Sequence, residues 1–76
     1  MKIAIYGTGC TKCKTLYDNA QKALGELGMA GQVCQVEDIN AITTAGIMFT
    51  PAIAVDGQVK SAGKLLSVAE IKQLIS

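Results

Sequence analysis

The chain has 76 residues and no histidine, arginine or tryptophan. Without histidine, no side chain has an ordinary pKa near neutrality, and Cys–His nucleophilic catalysis is excluded. Three cysteines and no histidine cannot close a four-ligand structural zinc site without carboxylates or a second chain. Without arginine, and with a net charge of only +1, the chain lacks the basic surplus of a nucleic-acid binder. Aromatics are few, two Tyr and one Phe, so the core has to be aliphatic. No run of like charge marks a tail or a membrane-surface patch. No apolar run approaches the ~20 residues of a membrane helix. The N-terminus enters a strand pattern directly, without a signal-peptide layout, so the expected location is the cytoplasm. Structural disulfides are rare there, and a close cysteine pair reads as redox-active or metal-binding.

What is present is apolar: half the residues are hydrophobic and 17% are charged. That balance suits a single domain over residues 1–76, which at this size buries only ~60% of the surface its unfolded chain exposes. There is no internal repeat, linker or low-complexity segment.

Lys2 to Tyr6 reads as a short buried strand, and Gly7 and Gly9 as a turn with unusual backbone angles. From Thr11 the period changes. Cys13, Leu16, Tyr17, Ala20, Leu24 and Leu27 make one stripe of an amphipathic helix. Gly25 inside it implies close packing or fraying, and Gly28 ends it. Gln32 to Glu37 is a second strand. Ile39 to Ile47 can hold a short helix capped by Asp38, broken by Met48-Phe49-Thr50-Pro51. Ala52 to Val55 is strand-like, Asp56-Gly57 is a hairpin turn, and Gln58 to Ser61 is the return strand, ended by Gly63. Ser67 to Ile75 closes as a helix, with Ser67 and Glu70 spaced as a capping box and Val68, Ile71, Leu74 and Ile75 as its apolar face. The order βαβαββα implies a parallel first pair with a right-handed crossover, and an antiparallel hairpin. The product is a mixed four-stranded α/β sheet with helices packed on it.

Gly7-Thr8-Gly9-Cys10-Thr11-Lys12-Cys13 carries the chemistry. Two cysteines three positions apart share one helical face. They stand where a strand becomes a helix, and the unpaired N–H groups and dipole of a helix start favour a thiolate. Cys10 is nearer the helix end and solvent, and Cys13 lies one turn inside on the apolar stripe. This asymmetry predicts that Cys10 attacks a disulfide and Cys13 resolves the mixed disulfide. Lys12 and Lys14 flank the pair; Lys12, with Thr11, is the candidate for tuning the thiolate. Two other readings remain. One is a Cu(I) or Zn(II) carrier, because strand, loop, CxxC and helix also describe small heavy-metal domains. Against it, such domains end in a strand and carry Met where Thr8 stands. The other is an inert dithiol. Cys34 reads as a small buried hydrophobe, Tyr6 and Tyr17 as packing residues, and Met48 and Phe49 as either core or an apolar rim. By backbone physics alone Thr50-Pro51 is a trans start to a strand.

The GTGCTKC stretch, Thr50-Pro51-Ala52, Asp56-Gly57 and the closing Ser67-Val68-Ala69-Glu70-Ile71 helix together resemble the small thioredoxin-like, glutaredoxin-sized redox-active disulfide proteins of bacteria and archaea. The resemblance spans essentially the whole chain. It implies a thioredoxin-like fold with strand order 2-1-3-4, Cys10 as nucleophile and Cys13 as resolving thiol. It also implies a cis Thr50-Pro51 bond packed against the CxxC, with the Thr50 backbone pairing with an incoming extended peptide. The partners implied are disulfide-containing proteins and a thioredoxin-reductase-like electron donor. The chain is expected to be a monomer with no cofactor, no resident metal, no nucleic acid and no membrane. It departs from thioredoxins proper in lacking the Trp before the first Cys, Gly-Pro between the two, and an acid in the first strand. It also lacks the Pro-Tyr of glutaredoxins.

Overall fold

A computed structural model describes residues 1–8 and 11–75. Gly9, expected in the turn, and Cys10, expected to be the nucleophile, lie outside these described residues. The elements run β1 (Lys2–Tyr6), α1 (Thr11–Leu27), β2 (Gln32–Val36), α2 (Ile39–Thr44), β3 (Ala52–Val55), β4 (Gln58–Ala62) and α3 (Val68–Ile75). The sheet order is β2-β1-β3-β4, with β1 and β2 parallel and the other two pairs antiparallel.

Period-two alternation divides the sheet between two layers. Ile3 and Ile5 of β1 and Ile53 and Val55 of β3 face α1 and α3, where they meet Leu16, Ala20, Ala23, Leu24, Ile71 and Ile75 in the main core. On the other face Ala52 packs with Ile42 and Ile47, with Tyr6 partly buried against them. The registers Ile5 opposite Ile53 and Ile3 opposite Val55 hold the two central strands in step. Tyr17, Val68 and Leu74 lie partly buried along the main core, and Asn19 adds a link the stripe does not reveal: its Nδ2 donates to the Leu66 carbonyl at 2.9 Å.

The ends of the elements have local causes. Gly28, at φ 64°, closes α1, with Met29 N–H reaching the Leu24 carbonyl and Gly28 N–H the Gly25 carbonyl. The α2 helix stops at Thr44 rather than Ile47. Gly46 turns at φ 77°, its N–H bonds the Thr43 carbonyl, and Ile47 folds back onto the core with its N–H on the Ile42 carbonyl. Asp38 caps α2 as its position implies, accepting from Asn40 N–H at 2.9 Å. Asp56 and Gly57 take φ 51° and 85°, and Asp56 also clasps β1: its N–H donates to the Lys2 carbonyl and its Oδ1 accepts from Lys2 N–H, each at 2.8 Å. β4 extends one residue past Ser61 and carries a bulge opposite the Ile53/Ala54 step. The Ser67–Glu70 capping box is formed in both directions, at 3.0 and 3.2 Å. The Ser67 backbone N–H and then its side chain hold the Glu70 carboxyl below the usual carboxylate range.

Candidate active site

The strand order brings four chain ends to one end of the sheet. The C-termini of β1, β2 and β4 and the start of β3 lie together there. β1 runs one residue beyond its last strand position in hydrogen-bonding terms, because Gly7 N–H donates to the Val36 carbonyl at 3.0 Å. The α1 helix opens at the same end, and its first turn carries Cys13, which is fully buried. Burial follows from the stripe: Cys13 lies on the same face of α1 as Leu16, Ala20 and Leu24, all within the core.

Cys13 is disulfide-bonded, whereas Cys34 carries a free thiol. Cys10 lies outside the described residues. Thr11 and Lys12 are exposed, and the Thr11 carbonyl accepts from Thr15 Oγ1 at 3.0 Å within the first turn and a half of α1.

Gly7 is where the separate segments meet. A Cβ built on it would overlap the Cys13 sulfur, stand 2.9 Å from Cys13 Cβ and lie 3.9 Å from Thr50 Cβ. The CxxC helix and the Thr50-Pro51 segment are thus neighbours across the end of β1, although 37 positions separate Cys13 from Thr50 (50 − 13). Gly7 does not have a positive φ. The expectation of an unusual backbone angle at Gly7 is therefore corrected: what this position needs is the absence of a side chain.

The Thr50-Pro51 peptide is cis. Backbone preference alone favours the trans form, so the likeness of the whole segment to its family was the better guide. Pro51 is buried and its carbonyl accepts from Gly63 N–H at 2.9 Å, while Thr50 is exposed. Among the described residues no hydrogen bond engages the Thr50 backbone. Gly63, at φ 80°, comes so close to Phe49 that an added Cβ would stand 3.0 Å from Phe49 Cβ. Met48 and Phe49 themselves are 86% and 67% exposed, which excludes them from the core. Ile39, just beyond β2, is 67% exposed, and Leu65, just beyond β4, is 42% exposed.

Cys34 stands apart from this end. It is half-buried rather than fully buried, its S–H points at the Ile3 carbonyl at 3.6 Å, and it shares a cavity of about 240 Å³ with Ala4, Tyr6, Val36 and Ala54. Among the described residues no three or more His, Cys, Asp or Glu side chains are grouped so that they could hold a metal ion. No helix among them is long and apolar enough to cross a membrane.

Sequence reasoning singled out Cys13, Thr50 and Pro51, and the fold brings Cys13 and Thr50 to the same glycine, Gly7. It gave Gly7 the wrong reason and did not anticipate the close approach of Gly63 to Phe49. No periodicity could have found it, because that approach arises only when β3 and β4 pair and bring Gly63 back to the Pro51 carbonyl.

A family model described as a thioredoxin domain matches residues 1–76. A protein named thioredoxin from Methanothermobacter thermautotrophicus is 42% identical over 76 residues, covering all of this chain and 99% of that protein. Another of the same name, from Methanocaldococcus jannaschii, is 42% identical over 71 residues, covering 93% of this chain and 81% of that protein.

Proposed function

The chain belongs to the thioredoxin domain family, and from that premise we propose that it reduces protein disulfides by dithiol exchange through Cys10 and Cys13. Membership itself supports a thiol–disulfide oxidoreductase role; the assignment to these two residues, and to protein substrates, is the proposal. The observation that carries it is the buried Cys13 sulfur at the start of α1, packed on Gly7, whose open side also faces Thr50 of the cis Thr50-Pro51 step.

The Cys10 thiolate attacks one sulfur of a partner's disulfide. A Cys10–partner bond forms, the partner's S–S bond breaks, and the other partner sulfur leaves as a thiolate that takes up a proton. Cys13, as thiolate, then attacks Cys10. The Cys10–Cys13 bond forms, and the second partner sulfur leaves and is protonated. Two electrons pass to the partner, and a reductase-like donor returns them. The unpaired N–H groups and dipole at the start of a helix stabilise the attacking thiolate. Lys12 adds a smaller attraction, because an exposed cation is screened by salt, and Thr11 lies between the two sulfurs in sequence. The exposed Thr50 backbone offers an extended segment of the partner a pair of hydrogen-bonding groups. The protein works as a cytoplasmic monomer.

Cys10→Ser abolishes reduction of a protein disulfide, and Cys13→Ser accumulates mixed disulfides with partners. A Cys10→Ser variant that reduces at the parent rate overturns the mechanism. Stoichiometric, tightly held metal after purification under reducing conditions would point to a carrier instead.

A further inference from the structure

We infer that Gly7 is a positioning residue for the exchange reaction: by having no side chain, it sets where the Cys13 sulfur stands and so governs the second step. The inference rests on the exchange reading above and adds to it the residue that controls resolution.

Three observations support it. Gly7 is buried and does not have a positive φ, so glycine is not demanded there by backbone conformation. Space demands it: an added Cβ would fall on the Cys13 sulfur, with Cys13 Cβ at 2.9 Å and Thr50 Cβ at 3.9 Å. Relief by moving the backbone is opposed, because the Gly7 N–H is tied to the Val36 carbonyl at 3.0 Å directly after the β1–β2 ladder. Cys13 is fully buried, on a helix whose next apolar residues, Leu16 and Ala20, are in the core, so α1 cannot retreat without opening the main core. The displacement therefore falls on the Cys13 side chain, whose Cβ and sulfur are both in the way of the added methyl.

The structure holds Cys13 in its disulfide-bonded form, so the position a methyl would contest is the one the sulfur occupies when bonded. In the second step the Cys13 thiolate attacks the Cys10 sulfur of the mixed disulfide. The Cys10–Cys13 bond forms, the Cys10–partner bond breaks, and the partner's thiolate leaves with the electron pair and takes a proton. Attack of this kind requires the nucleophile to approach in line with the breaking bond, and a displacement of about 1 Å can cost on the order of 10²-fold in rate. A methyl on Gly7 therefore slows resolution while leaving the first attack, by Cys10, to proceed.

The test uses reduced full-length protein and a nitrobenzoate disulfide whose thiolate is coloured. The parent releases two equivalents of thiolate in one coupled phase. Gly7→Ala is expected to release the first at the parent rate and the second on the order of 10²-fold more slowly, with the mixed disulfide visible by mass in the interval. Equilibration with dithiothreitol redox buffers is expected to show the variant's dithiol favoured over its disulfide relative to the parent. Release of both equivalents in one coupled phase at the parent rate would overturn the inference and leave the exchange reading intact. A parent that releases no thiolate would instead overturn the exchange reading. A stability cycle tests the contact independently of activity. Gly7→Ala should destabilise the oxidised protein more than it destabilises Cys13→Ala, whose sulfur is gone; equal losses in the two backgrounds overturn the inference. Should Gly7→Ala alone fail to fold, recovery of folding in the Gly7→Ala/Cys13→Ala double variant supports the contact, and failure of both overturns it.

Discussion

Met48 and Phe49 leave most of their apolar surface in water directly before the Thr50-Pro51 step. Neither is part of a core cluster, yet Phe49 is held at its base by Gly63, whose N–H is in turn tied to the Pro51 carbonyl. An exposed apolar pair on an anchored segment contributes little to folding and much to contact with a partner. Phe49→Ser, alone or with Met48→Ser, should change unfolding free energy by no more than about 0.5 kcal/mol. It should raise KM for a protein disulfide and leave the rate with a small-molecule disulfide unchanged. Steady-state kinetics with the two substrate types checks this, and equal effects on both would remove the rim from substrate binding.

The helices depend on their ends and on one weak point. Gly25 is exposed in α1, has no positive φ, and a Cβ added there would meet nothing within 4 Å. It therefore carries the helix penalty of glycine without the close packing that would justify it. Gly25→Ala should stabilise the protein by about 1 kcal/mol, which for a domain of this size raises Tm by about 4–8 °C. Calorimetry reads this directly. In α3 the Ser67–Glu70 box is made by a carboxylate. Because Glu70 is held below the usual carboxylate range in the folded chain, its contribution is complete above the ordinary glutamate pKa. It is lost as the pH falls through the lowered folded value. The stability difference between the parent and Glu70→Gln should thus be present at neutral pH and close in acid. A difference that stays constant from pH 7 to pH 2 would show that the box acts through hydrogen bonding independent of charge.

The molecule as a whole has a thin reserve. At 76 residues, a typical stability of 0.05–0.15 kcal/mol per residue gives roughly 4–11 kcal/mol. The main core is one layer of aliphatic side chains between the sheet and α1 with α3, and Ile5 stands fully buried in the central strand. Ile5→Ala should cost about 2–5 kcal/mol, a large share of that reserve, and unfold the chain at much lower denaturant. Urea titration followed by circular dichroism measures it. The same central strand ends at Gly7, so loss of packing at Ile5 also loosens the site.

The sequence alone determined what depends on local pattern. The apolar stripe from Cys13 to Leu24 specified α1 and the burial of Cys13. Asp56-Gly57 specified the hairpin, and Gly28 and the Ser67–Glu70 spacing specified helix limits. Each rests on residues within a turn or two of each other, whose energetics do not require the rest of the chain. The end of α2 was misjudged because Ile47 buries itself by folding back, which a hydrophobic pattern cannot distinguish from one more turn of helix. Tertiary structure alone decided what surrounds the Cys13 sulfur at Gly7, where a side chain has no room, and the outward placement of Met48 and Phe49. These follow from strand pairing that brings residues dozens of positions apart into contact, and contact at that range is set by the packing of the whole sheet.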